Sequence, residues 1–181
     1  IPKIATKEIT KTDESGAETT YSKTNLSAQS VIKEMDRQIL AAGKMDDAIF
    51  STGVGIHQMV AAQLITWTKP RQMLSSGSLG TMGVALGYCI GAKLANCGKL
   101  VIAVDGDGSF NMTFTELKTV FEQNIPIKIM ILDKESQMMV EYWQKLFHNE
   151  RLLAVRNINP DYQTIAKAFS IKSVHCDREE D

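Results

Sequence analysis

The residues best placed to do chemistry are Gly106-Asp107-Gly108-Ser109. Glycines leave room for backbone N–H groups to approach a diphosphate closely. A carboxylate set between them suits a magnesium ion that also binds diphosphate oxygens. Ser109 adds a hydroxyl donor. The same four residues also make a tight strand-to-helix turn with no ligand at all, because Asp-Gly pairs are common in turns. On the tetrapeptide alone both readings stand. Two more glycine loops lie upstream, Thr52-Gly53-Val54-Gly55 and Ser75-Ser76-Gly77-Ser78-Leu79-Gly80.

Each loop follows an apolar segment. Ala48-Ile49-Phe50 and Gln72-Met73-Leu74 read as short strands, and the continuous apolar run 100–104 suits a central parallel strand covered on both faces. Between them, Leu26, Val31, Met35, Ile39 and Leu40 recur at helical spacing, with Gly43 as a stop. Residues 57–64 predict a helix, and 81–94 predict a buried helix rich in Gly and Ala. Thr113 followed by Glu116 has the capping-box pattern for a helix running to about Gln123. Residues 127–132 form another buried strand and 138–146 another helix. Asn159-Pro160 predicts a last helix, with Asn as cap and Pro at the first position, turning Ile165, Ala168 and Phe169 inward. This alternation predicts an α/β fold, a parallel sheet with helices on both faces. In such sheets ligands bind at the carboxyl ends of the strands, where the three glycine loops fall.

Residues 1–25 are rich in Thr, Ser, Lys and Glu and read as a linker or mobile loop, or as an extended arm on another domain. The rest, 26–181, is long enough for one domain. A net charge of −1 without a basic patch disfavours nucleic acid as a partner. Cys89, Cys97 and Cys176 lack metal-ligand spacing, which points to a reducing compartment. No apolar run approaches the ~18 residues of a membrane span, and no signal or transit peptide is visible. The chain starts at Ile1 and ends on Arg178-Glu179-Glu180-Asp181 without a helix stop, so both ends read as cuts in a longer protein.

Taken together, the segments Ser51-Thr52-Gly53-Val54-Gly55-Ile56-His57-Gln58-Met59, Leu74-Ser75-Ser76-Gly77-Ser78-Leu79-Gly80-Thr81-Met82-Gly83 and Val104-Asp105-Gly106-Asp107-Gly108-Ser109-Phe110-Asn111-Met112 resemble acetolactate synthase (acetohydroxyacid synthase). The resemblance runs from about Leu26 to the end, through Asn159-Pro160-Asp161 and Ala166-Lys167-Ala168-Phe169. Trp67-Thr68-Lys69-Pro70 and Asn111-Met112-Thr113-Phe114-Thr115-Glu116-Leu117 look most like the fungal branch.

That resemblance implies the C-terminal thiamine-diphosphate-binding domain of an enzyme that joins two 2-keto acids, such as pyruvate, and releases carbon dioxide. This reaction opens isoleucine and valine biosynthesis. It implies that Val54, Gly55 and His57 contact the diphosphate, with Gly106, Asp107, Gly108 and Ser109. It implies a Gly80 carbonyl at the aminopyrimidine and a Met82 side chain that props the cofactor in a bent form. Met139 and Trp143 match positions lining the substrate channel, with Met139 also beside the cofactor. Asp107 matches a magnesium ligand. From the residues alone, His57 also suits a helix cap or a solvent-facing position, Met82 suits core, and Met139 and Trp143 at i, i+4 suit two packed core residues.

The pattern breaks at the metal. The family's second side-chain ligand and its backbone-carbonyl ligand fall on Lys134 and Ser136, and an ammonium has donors but no acceptor. Lys134 could pair with the diphosphate directly, Asp133 or Glu135 could supply an oxygen, or metal binding could be weakened or lost. The reading favoured here is weakened or lost metal binding. Ile56, Val60, Ser78, Gly87-Tyr88 and Met138 depart from the family as well.

The resemblance further implies an activating Glu in another domain contributed by a partner subunit, an FAD-binding middle domain, and a C-terminal tail, all lying outside these residues. The fragment is therefore expected to be inactive alone. The implied assembly is a homodimer or tetramer sharing its active site, with a possible regulatory subunit, in the mitochondrion for the fungal branch or the cytoplasm for a bacterial source. The alternatives are another thiamine-diphosphate enzyme of the pyruvate oxidase or decarboxylase type, and a non-catalytic paralogue serving as a binding or assembly module.

Overall fold

The computed structural model describes residues 7–12, 18–23 and 26–177. The terminal Arg178-Glu179-Glu180-Asp181 and much of the segment read as a linker lie outside them. Within that segment, β1 (Lys7–Thr12) and β2 (Glu18–Lys23) pair as an antiparallel ribbon, with Ile9 opposite Tyr21.

The main body follows in strict alternation: α1 (Ala28–Ala41), β3 (Ala48–Thr52), α2 (Ile56–Leu64), β4 (Met73–Leu74), α3 (Val84–Ala95), β5 (Leu100–Gly106), α4 (Asp107–Phe110), α5 (Leu117–Glu122), β6 (Lys128–Leu132), α6 (Met138–Phe147) and α7 (Tyr162–Ala168). The four strands β3 to β6 form one parallel sheet in the order β4-β3-β5-β6. After β3 the chain moves to one side of the sheet, and after β4 it crosses back to lay down β5 on the other. The strand order therefore reverses between β3 and β5, where an open α/β sheet leaves a crevice at its carboxyl edge.

Side chains alternate across a strand, and this alternation builds the two cores. Ala48, Phe50, Ile102 and Val104 face Ile32 and Ile39 of α1 and Val60 and Ala61 of α2. Ile49, Val101 and Ala103 face Ala85, Cys89 and Ala92 of α3. A third cluster joins Leu86 and Ile90 to Phe110, Leu117, Val120 and Ile125, with Ile165 and Phe169 packed against it. Burial on both faces explains why β3 and β5 read as unbroken apolar runs.

Helix boundaries followed chemistry that the pattern only partly displays. Ser27 caps α1, its hydroxyl accepting the Ser30 N–H at 3.0 Å, and Gly43 takes a left-handed φ of +63° just beyond its end. The predicted helix 81–94 starts later, at Val84, because Gly83 is held in a left-handed turn at φ +81°. The capping box at Thr113 does not form. The Thr113 hydroxyl donates instead to the Gly83 carbonyl at 2.8 Å, while Glu116 accepts from Thr119 at 2.9 Å. The last helix is capped by Asp161, which accepts the Gln163 and Thr164 N–H groups, so Asn159 is not its cap.

Candidate cofactor site

The carboxyl ends of β3, β4 and β5 bring the three glycine loops together, and buried polar contacts lock them. Gly53 abuts the side chains of Asp105 and Ser109 so closely that a Cβ there would overlap both. The Ser109 hydroxyl accepts the Gly83 N–H at 2.9 Å, fastening the second loop to the third. Thr52 and Gln58 both reach the Ser75 hydroxyl at 2.7 Å, fastening the first loop to the second. Val54 lies within van der Waals reach of a Cβ built on Gly80, which itself sits at φ +61°.

His57 is the second residue of α2, yet it neither caps that helix nor faces solvent. Its ring is buried beneath the turn at Gly106, with Nε2 at 3.3 Å from Asp105 Oδ1. That approach is not aligned as a hydrogen bond: His57 Nε2 and Asp105 Oδ2 are both buried without a hydrogen-bond partner among the described residues. Asp105 Oδ1 accepts the Gly106 N–H at 3.0 Å, which shapes the start of the Gly106-Asp107-Gly108-Ser109 turn.

Asp107 is 3% exposed, and its carboxylate is held on one side. Oδ2 accepts from the Asn159 amide at 2.7 Å, the Ser136 N–H at 3.2 Å and the Asn157 amide at 3.4 Å. Oδ1 has no hydrogen-bond partner among the described residues. The same Asn159 amide donates to Asp133 at 2.7 Å, and its oxygen accepts from Asn111 at 3.1 Å. Tyr162 donates to the other end of Asn111 at 3.0 Å. Burial, then the nearby Asp133 and Asp107, push the Tyr162 phenol up, so it stays a donor.

Asn157 and Asn159 arrive from far along the chain because residues 155–157 run beside 135–137. The Gln137 N–H donates to the Val155 carbonyl at 2.8 Å, and the Asn157 N–H to the Glu135 carbonyl at 2.9 Å. Glu135 takes a left-handed φ of +50° in this turn. Neither Asn stands out as a site residue in the sequence, since Asn159-Pro160 reads as a helix start. A clue was present nonetheless: Asp161 also has cap chemistry and leaves Asn159 free.

On the far rim, Met139 is half-buried while Trp143 is 57% exposed and stacks on Phe147 with ring centroids 5.1 Å apart. The two are therefore not a packed core pair. Met82 is half-buried beside the second loop. An apolar groove of about 450 Å³ between β4 and α3, lined by Met73, Tyr88 and Ala92 among others, lies off this crevice except at Ser75.

Residues 53–181 match the family model for the thiamine pyrophosphate enzyme C-terminal TPP binding domain. The chain belongs to the thiamine pyrophosphate enzymes. Its relatives within them include the mitochondrial acetolactate synthase of Schizosaccharomyces pombe, 44% identical over 84% of this chain and 23% of that protein. The mitochondrial acetolactate synthase catalytic subunit of Saccharomyces cerevisiae is 43% identical over 84% of this chain and 22% of that protein. An acetolactate synthase of Mycobacterium bovis is 46% identical over 75% of this chain and 23% of that protein. The chain thus spans under a quarter of the length of these three relatives. The parallel sheet flanked by helices agrees with the α/β architecture expected of a TPP-binding domain.

Proposed function

We propose that this chain supplies the diphosphate-binding side of a thiamine diphosphate site in an acetolactate synthase, which condenses two 2-keto acids and releases carbon dioxide. The observation that carries this reading is how the helices begin. The helices α2 and α4 follow the carboxyl ends of β3 and β5 and start without a side-chain cap, whereas α1, away from the crevice, is capped by Ser27. The first N–H groups of a helix have no partner within it, and grouped at one edge they make a site for an anion. Relatives named acetolactate synthase supply the rest of the argument.

In this reading Val54, Gly55, His57, Gly106, Gly108 and Ser109 surround the diphosphate end. Gly80 and Met82 meet the ring end, and Met139 and Trp143 border the substrate. Thiamine diphosphate, when bound, supplies an acidic thiazolium carbon on which such condensations run. The protein's part here is to hold the cofactor rigidly and screen it from water. The activating Glu, the FAD contacts and the closing tail belong to other parts of the assembly, a homodimer or tetramer that shares its active site and takes a regulatory subunit. The apolar residues exposed on α6, Tyr142, Trp143, Leu146 and Phe147, support such sharing. The fungal relatives' names support a mitochondrial location and, through the reaction, a place in isoleucine and valine synthesis; a bacterial source would make the location cytoplasmic.

The second reading, a non-catalytic module of the same fold, draws on Lys134 at a metal-ligand position. One experiment separates them: the full-length protein is given thiamine diphosphate, magnesium and pyruvate, and acetolactate is measured. Product formation that is lost in a Gly80→Val variant supports the synthase. Cofactor binding without product supports the module.

A further inference from the structure

The resemblance implies a magnesium ion between Asp107 and the diphosphate, and the residues present do not fit it. Magnesium demands a near-octahedral shell of oxygens. Asp107 Oδ2 is already occupied by three N–H donors, so this carboxylate offers one free oxygen. Asp133 Oδ1 is taken by the Glu135 N–H at 3.1 Å and the Asn159 amide at 2.7 Å. The Ser136 carbonyl accepts the Met138 N–H at 2.9 Å, and it is the Ser136 N–H, not its oxygen, that contacts Asp107. No group of three His, Cys, Asp or Glu side chains suited to a metal occurs among the described residues.

Lys134 completes the contrast. Leu132 pairs with Gly106 at the ends of β6 and β5, so Lys134 leaves the sheet beside the Gly106-Asp107-Gly108-Ser109 turn. Its side chain is half-buried and has no hydrogen-bond or ion-pair partner among the described residues, although Asp133 and Glu135 flank it in sequence. Its ammonium makes no ion pair among the described residues, so its donors are open to an anion arriving at the turn.

We propose that Lys134 stands in for the divalent cation, so that this cradle binds an organic diphosphate through its ammonium and the loop N–H groups without a firmly held metal. The proposal rests on the thiamine diphosphate reading and specifies how that site neutralises its ligand.

The test is calorimetric binding of thiamine diphosphate, and separately of inorganic pyrophosphate, to the full-length protein in magnesium and in EDTA. Lys134→Asn and Lys134→Met variants are measured alongside, with circular dichroism as a control for folding. The parent is expected to bind thiamine diphosphate with affinities within about twofold in the two buffers, and Lys134→Met to lose about tenfold or more in EDTA. Lys134→Asn is expected to restore dependence on magnesium. A parent whose affinity rises more than about tenfold with magnesium overturns the proposal and leaves the family reading intact. A folded parent that binds neither ligand in either buffer overturns both.

Discussion

The floor of the crevice and its rim are built in opposite ways. The floor, where β3 and β5 end, is fixed chiefly by steric exclusion, Gly53 against Asp105 and Ser109 and Gly106 against His57, with Gly83 hydrogen-bonded to Ser109 and Thr113. The rim, from Asp133 to Trp143, is fixed by hydrogen bonds: backbone bonds join 135–137 to 155–157, the Ser136 N–H donates to Asp107, and the Asn159 amide bridges Asp133 to Asp107, while much of its outer face is exposed. A floor that leaves no space for a side chain can hardly vary. A rim that depends on exchangeable hydrogen bonds can change its chemistry and keep its shape, and Lys134 is such a change.

The most direct way to break this contrast is Gly53→Ala. The added methyl would collide with two buried side chains that cannot retreat without breaking the Gly106 and Gly83 contacts. Overpacking of this kind costs about 3 kcal/mol, read as a lowered urea midpoint. A variant as stable as the parent would mean that the floor yields and the distinction fails.

Asn159→Ala probes the rim's strongest bond. It removes the 2.7 Å donor from Asp107 and, with it, the amide that bridges Asp107 to Asp133. Losing a hydrogen bond to a buried carboxylate costs about 2 kcal/mol, again by urea denaturation. A loss well below that would show that the 3.2 and 3.4 Å donors of Ser136 and Asn157 suffice.

The contrast also explains what the sequence disclosed. The sheet was legible because strands buried on both faces must be apolar throughout, as in Ala48-Ile49-Phe50 and residues 100–104. The glycine loops were legible because excluding a side chain requires one residue type. The Asp107 network was not, since Asn157 and Asn159 lie about fifty positions from it and amides carry no signature of their partner. The Thr113 capping pattern misled because a hydroxyl bonds whatever acceptor the fold brings nearest, here the Gly83 carbonyl. In residues 1–25, polar composition suggested a linker, yet the β-branched threonines of 7–12 and 18–23 also suit paired strands.

Thr113→Val tests the floor more gently, because it keeps the shape and removes only the bond to Gly83. The expected loss is about 1 kcal/mol, visible as a small drop in melting temperature. Cys89 sharpens the same point. It is fully buried on α3, and burial pushes its thiol up to about 12. In the folded protein a maleimide should label the exposed Cys97 and Cys176 and reach Cys89 only on unfolding. Rapid native labelling of Cys89 would show that the sheet face beneath the floor opens.

The smallest effect belongs to the rim's outer face. The Lys145 ammonium lies 2.7 Å from Glu141 and, with the Ser136 hydroxyl and the more distant Arg156, holds the Glu141 carboxyl below its usual 4.5. Lys145 is nearly half exposed, so Lys145→Ala should cost no more than about 0.5 kcal/mol at neutral pH. A carboxyl lowered in the folded state contributes stability that is fully present above its ordinary value and is lost as pH falls through the lowered one. The gap in melting temperature between parent and variant should therefore be constant above pH 4.5 and close as the solution becomes more acidic. A gap that persisted unchanged in acid would mean that Lys145 acts through packing of its alkyl chain, and the rim would then resemble the floor after all.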